Sequence, residues 1–240
     1  MKKTVIILAI LFIGCAKKEL KIPTLAEKGI QEIQNHSQVW FFYEVKNNDT
    51  IANINKQNTI STTHWIYNID KNLPLKTIVH SITELKYKHA NSLHSEEGMH
   101  NYFSYSDTIS KRLSFLEFDN TTYVTDSILS KYDIKKNSET YKNYNNLNLV
   151  FNNAGSFLND TFVKQIELKA TLKEFIEFSS EGKQTMLHLN FDENTTYQNY
   201  LFYKTLAKSL SNETILVNNN EYIFNVEKVP DCGCNKSDKM

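Results

Sequence analysis

The chain has 240 residues, with 27 basic and 27 acidic side chains and a net charge of zero. It carries no basic stripe, and Arg112 is its sole arginine, so neither nucleic acid nor a bidentate phosphate clamp is expected. Three cysteines are too few for a disulfide scaffold, and six glycines with three prolines leave little material for long disordered linkers.

The first residues are Met1-Lys2-Lys3-Thr4, an apolar run from Val5 to Gly14, and then Cys15. Two lysines before a short apolar run suit the charged and hydrophobic regions of an export signal. Spanning a bilayer takes about 20 apolar residues, and Lys17, Lys18 and Glu19 close the run early. Phe12-Ile13-Gly14-Cys15 resembles the lipobox of a bacterial lipoprotein. The resemblance implies cleavage between Gly14 and Cys15, acylation of Cys15 and, with Ala16 in place of Asp, the outer membrane. Phe12 departs from the usual leucine. Several acyl chains, at about 0.8 kcal/mol per buried CH₂, would make the anchor permanent.

Residues 16–23 read as a tether. Thr24 to His36 places Leu25, Ile30 and Ile33 at roughly helical spacing behind a Thr24 cap, which predicts a short helix. Val39 to Val45 is aromatic and β-branched, a buried strand. Asn47-Asn48-Asp49 makes a hairpin turn into the alternating strand Thr50 to Asn55. Thr62 to Ile69 is a further strand. Pro74 opens a helix with Leu75, Ile78, Val79, Ile82 and Leu85 on one face. His89 to Asp107 reads as a polar loop, and Leu113 to Phe118 and Thr121 to Thr125 as short β segments. Asp126 to Asn146 lacks periodicity and reads as a connection.

A second unit follows. Leu147 to Asn152 is a strand, Asn153-Ala154-Gly155 a turn and Thr161 to Glu167 a strand. Leu168 to Phe178 is a helix, Thr185 to Phe191 a strand, Thr196 to Leu210 a helix, and Glu213 to Val217 and Glu221 to Val226 are strand-like. Residues 65–83 and 187–205 share a strand, an Asn-x-Asp-x-Asn turn and a helix, with Asn68, Asp70, Asn72 and Thr83 matching Asn190, Asp192, Asn194 and Thr205. This fits an internal duplication, or the ordinary use of Asp and Asn as caps.

The order over 147–226 resembles the periplasmic domain of ExbD/TolR-type transport proteins. The matching pieces are Asn153-Ala154-Gly155, Leu168-Lys169-Ala170-Thr171-Leu172, Leu189-Asn190-Phe191-Asp192 and Tyr197 to Leu210. Trp65 to Lys71 with Pro74 to Leu85 fits the last strand–helix unit of that family. The family's membrane helix with its essential Asp has no counterpart in residues 5–14, so the resemblance implies the soluble module and peptidoglycan or envelope proteins as partners, not a proton-driven motor.

Candidate chemistry is sparse. Cys232-Gly233-Cys234 suits a soft metal, a redox pair or a small disulfide. His89, His94 and His100, with Glu96, Glu97 and Asp107, offer zinc or copper ligand types, with the solvated loop as the plainer alternative. Asp70 and Asp192 suit helix caps. Trp40, Phe41, Phe42, Trp65 and Tyr67 suit the core. Thr50, Thr108 and Ser127 sit in Asp-Thr/Ser-aliphatic triplets resembling the O-glycosylation sites of Bacteroidetes-type bacteria. No nucleophile elbow, zincin, Walker or dinucleotide motif occurs.

The expected architecture is α+β, with two small βαβ-type units and mixed sheets, the second unit ExbD/TolR-like. The segments are signal peptide 1–14, anchor, tether and short helix 15–37, first unit 38–125, connection 126–146, second unit 147–228 and tail 229–240. The expected function is a lipid-anchored, non-enzymatic binding or scaffolding module of the cell envelope with no cofactor. The alternative is a metal-binding or redox accessory lipoprotein using Cys232 and Cys234.

Overall fold

Aromatic and β-branched runs build two six-stranded mixed sheets around one shared core. The computed structural model describes residues 19–92, 98–153 and 155–229. The α+β class is as the sequence indicates. The first half contains β1 (Thr24–Leu25), β2 (His36–Lys46), β3 (Asp49–Asn55), β4 (His64–Ile69), α1 (Val79–Ala90), β5 (Asn101–Asp107), β6 (Arg112–Glu117) and β7 (Thr122–Val124). The second half contains α2 (Ser130–Lys136), α3 (Ser138–Tyr141), β8 (Asn145–Asn152), β9 (Gly155–Leu158), β10 (Thr161–Val163), α4 (Leu168–Ser179), β11 (Thr185–Asp192), α5 (Tyr197–Leu210) and β12 (Ile215–Phe224).

In the first sheet β3, β2, β4 and β5 lie side by side, with β1 and β6 also on β5. The β2–β3 hairpin closes through Asn47 and Asn48, both at positive φ (53° and 66°), a conformation asparagine tolerates. β2, β4 and β5 run parallel, and β4 is buried along most of its length, as a central parallel strand should be. The second sheet runs β10-β9-β8-β11-β12-β7. β8, β11, β12 and β7 are parallel there. β7, although it follows the first sheet in sequence, forms the edge of the second.

Two stretches of the described fold repeat one another. Each has a hairpin (β2–β3, β8–β9), a central strand parallel to its first arm (β4, β11), a helix (α1, α5) and an outer parallel strand (β5, β12). The two strand–turn–helix segments then bond to each other reciprocally. Leu75 N donates to Thr195 O (3.0 Å) and Tyr197 N to Leu73 O (2.8 Å). Lys76 N donates to Glu193 O (2.9 Å) and Gln198 N to Lys71 O (3.0 Å). Equivalent residues exchange equivalent bonds, so the two copies are related by an internal pseudo-two-fold axis beside the Pro74–Thr196 bridge. The Asn-x-Asp-x-Asn turn is also shared: Asp70 Oδ1 accepts from Asn72 N, and Asp192 Oδ1 accepts from Asn194 N.

The core runs across that axis. Val39, Phe41, Tyr67, Ile69, Leu75, Ile78, Ile82 and Phe103 pack in one cluster with Leu149, Phe151, Leu189, Phe191, Tyr197, Tyr200 and Leu201. At roughly 25 cal/mol per Å² of buried apolar surface, these large side chains dominate the folding energy. A smaller cluster of Ile33, Ile66, Tyr102 and Phe115 fills the outer face of the first sheet.

Several elements differ from expectation. Thr24 to His36 is not a helix. Thr24–Leu25 pairs with β5 instead, and the strand is held by Gln198, whose amide bonds both Thr24 N and Thr24 O. Gly29 passes so close to Tyr105 and Phe115 that a Cβ would lie 2.2 Å from the tyrosine oxygen. Residues 101–107 are a buried strand rather than a loop. Their polar groups are spent internally, with Ser104 Oγ donating to Asn68 Oδ1 (2.7 Å). The connection contains two short helices, α2 and α3, pinned where Ser130 N donates to Asn190 Oδ1 (2.7 Å). The two segments expected at 213–226 form one strand, β12, with an irregularity opposite Leu187–Leu189.

Candidate functional site

The polar chemistry gathers at one end of the first sheet, where β4 and β5 begin and β6 ends. The antiparallel register pairs Tyr102 with Glu117, and continuing it two residues further brings His100 opposite Asp119. His100 Nδ1 lies 2.7 Å from Asp119 Oδ2 and 3.6 Å from Glu117 Oε1. Asp119 Oδ1 accepts from Asn101 N (3.0 Å) and from Asn101 Nδ2 (2.7 Å). Asn101 Oδ1 faces His89 Nδ1 at 3.0 Å, and His89 Nε2 faces Thr63 O at 2.9 Å. His89 is buried and stacked on Trp65 with ring centres 4.3 Å apart. The result is a continuous chain of bonds from the interior to a partly exposed imidazole–carboxylate group.

His64 completes the cluster. Its ring stacks on His100 at 5.7 Å, and its Nδ1 accepts from His100 N (3.0 Å). Burial, followed by the neighbouring His100 and His89, pulls the His64 imidazole below its ordinary range. Tyr102 packs edge-on against both rings, and burial raises its phenol.

Beside this cluster opens a cleft of about 750 Å³. The C-terminal half of α1 forms one wall with Thr83, Lys86 and Tyr87, and residues 119–123 form another. His100, Asn101, Asp119 and Tyr123 line it as well. Lys86 Nζ donates to Asp119 O (2.7 Å) and also to Thr121 O. Burial lowers the Lys86 ammonium.

Behind residues 121–123 lies a second, buried network. Lys204 pairs with Glu221 and donates to Thr121 Oγ1 (2.8 Å). Tyr200 OH donates to Glu221 Oε2 (2.7 Å) and meets Tyr123 OH at 2.9 Å. Burial and the adjacent Glu221 raise the Tyr200 and Tyr123 phenols well above their usual range. This network ties α5 to β12, to β7 and to the link that precedes β7.

The residues singled out from sequence are distributed as follows. Of the histidine group, His100 enters the cluster, His89 serves as its buried support, and Asp107 turns away to accept from Ile109 N (2.7 Å) and Ser110 N (3.2 Å). Gly14, Cys15, His94, Glu96, Glu97, Cys232 and Cys234 lie outside the described residues. Phe41, Trp65 and Tyr67 are core; Trp40 and Phe42 stack on each other half-buried. Thr50 is half-buried on β3, Thr108 is exposed in the turn after β5, and Ser127 is buried with its Oγ accepting Asn225 N (3.3 Å). Glu117 and Asp119 escaped the sequence reading. Their one signal was the Glu117-Phe118-Asp119 alternation, which puts both carboxylates on one face at a strand end.

Compared with family models, with curated proteins and with solved structures, the chain matches none. Among the described residues no helix is long and apolar enough to cross a membrane.

Proposed function

We propose that this chain is a lipid-anchored bacterial envelope protein, acylated on Cys15 at the outer membrane, whose folded body is a non-enzymatic binding module. The cleft beside α1 is the binding site in this reading. The observation that carries it is the cleft's lining, where the rings of Tyr87 and Tyr123, the amides of Asn91 and Asn101 and the Lys86 ammonium come together. Thr83 Oγ1 donates to Val79 O, and Thr121 Oγ1 accepts from Lys204. The strand and helix beside the cleft, Trp65 to Lys71 with Pro74 to Leu85, support kinship with the last strand–helix unit of the ExbD/TolR soluble module, as the element order of the second unit does for that unit, and through it cell-wall peptidoglycan as ligand.

The test is co-sedimentation of the purified chain with isolated cell-wall sacculi. Saturable binding, weakened about tenfold by Tyr87→Ala through loss of about 1.4 kcal/mol of ring contact, is the expected result. Binding that ignores Tyr87→Ala, or none at physiological salt, overturns the wall-binding reading. Radiolabelled palmitate incorporation lost in Cys15→Ala tests the anchor separately.

A further inference from the structure

We propose that His100, Glu117 and Asp119 bind one divalent first-row transition-metal ion, of which zinc is the reference, at the rim of the cleft. This site is distinct from the tail cysteines and does not depend on the wall-binding reading.

Geometry is the first argument. One ligand atom from each residue lies within 4.8 Å of the other two. Zinc binds imidazole nitrogen at about 2.0–2.1 Å and carboxylate oxygen at about 2.0–2.2 Å, which sets neighbouring ligand atoms roughly 3.3–3.5 Å apart around a tetrahedral ion. The 3.6 Å gap between His100 Nδ1 and Glu117 Oε1 already fits that edge. The 2.7 Å gap to Asp119 Oδ2 has only to open by a rotation of one carboxylate.

Charge is the second argument. Two carboxylates, Glu117 and Asp119, face the one imidazole of His100. A dication takes the Nδ1 lone pair and balances both carboxylates. One imidazole with two carboxylates is a donor set suited to zinc, iron or manganese rather than to the softer copper(I).

The ligands are also supported from outside. Asp119 Oδ1 is held by two bonds from Asn101, which leaves Oδ2 to face the ion. Asn101 is itself fixed by the buried His89, and His100 by its backbone bond to His64. Such outer partners orient metal ligands and tune their basicity. The three ligands come from the start of β5, the end of β6 and the turn just after it, so the strand register places them. Three protein ligands leave a coordination position open. His100 and Asp119 line the cleft, so a water or an anionic group of a bound molecule can take that position.

The test uses the full chain carrying Cys232→Ser and Cys234→Ser, so that the tail thiols cannot ligate. Equilibrium dialysis against chelator-buffered zinc, with metal measured by plasma emission, is expected to give one zinc per chain. Loss of an outer partner costs about 10–100-fold in affinity, so His100→Gln and Glu117→Gln should each weaken binding by at least about 100-fold. His80→Gln, at an exposed pair on α1, should leave affinity unchanged. Glu117→Gln removes no other bonded partner among the described contacts, and an unchanged thermal melt confirms that its fold is intact. Cobalt loading should give visible bands without thiolate charge transfer. No stoichiometric zinc in the parent chain, or zinc binding that survives both variants, overturns the proposal.

Discussion

The two halves share a topology and differ in where they put their polar groups. At the end of the first sheet stand His64, His100 and Asp119, beside an open cleft. At the matching end of the second sheet Asn145 Nδ2 donates to Thr185 Oγ1 and to Ser179 Oγ at the end of the extra helix α4, a neutral group. The contrast reverses at the centre. Matching β4–β5 to β11–β12 sets Ile82 and Phe103 of the first copy against Lys204 and Glu221 of the second. One copy closes that contact with apolar packing and the other with a buried ion pair. The two halves thus share a backbone pattern while placing these polar groups differently, and the first half gathers its histidine–carboxylate group beside the cleft.

The largest expected effect breaks the central difference. Glu221→Ala strands Lys204 in the core and should cost about 3–5 kcal/mol in urea unfolding. The paired change Lys204→Ile with Glu221→Leu, which imitates the first copy, should recover most of that loss. If the double variant is as unstable as the single one, the two positions are not equivalent.

A second effect is pH-dependent and centres on His188 of the second half. His188 is buried among Asn146, Asn218 and Tyr141, and burial depresses its imidazole to about 4, against a small opposing pull from Asp133. In the unfolded chain it titrates near 6.5. Between those values the unfolded state holds the extra proton, so stability is full above pH 6.5 and falls as pH drops towards 4, by about 3 kcal/mol. His188→Asn should flatten that slope in melts taken across the window. An unaltered slope would place the acid sensitivity elsewhere.

Third in size is the hub asparagine. Asn190 accepts from Ser130 N and donates to Ser130 Oγ and Leu149 O, whereas Asn68 bonds Ser104 Oγ and Gln38 Oε1. Asn190→Ala orphans a buried N–H and should cost about 2–3 kcal/mol, against about 1 kcal/mol for Asn68→Ala. Equal costs would show that the connection helices contribute nothing through Asn190. Smallest are the turn carboxylates: Asp70→Ala and Asp192→Ala should each cost about 1 kcal/mol, with Asp70 the larger because its Oδ2 also accepts Lys21 N.

Much of the fold was legible because its signals are local. The Val39–Val45 strand, the Asn47-Asn48 turn, the apolar faces of α1 and α5 and the shared Asn-x-Asp-x-Asn turn are all written within a few residues. What escaped depends on distant partners. β5 reads as a loop because Asn101, Ser104 and Asp107 look solvated until Asp119, Asn68 and the Ile109 amide are supplied. Thr24–Leu25 reads as helix because Gln198, far along the chain, is what holds it extended. The site followed the same rule. His100 was recognisable by type, but its partners Glu117 and Asp119 are set by the β5–β6 register and not by proximity in sequence.

The most direct test of a cleft used only in the first copy is a backbone amide NMR titration of the full chain with soluble cell-wall muropeptides. The account predicts shifts confined to Lys86, Tyr87, His100, Asn101 and residues 119–123. Shifts centred on residues 185–217, or none at saturating muropeptide, would contradict it.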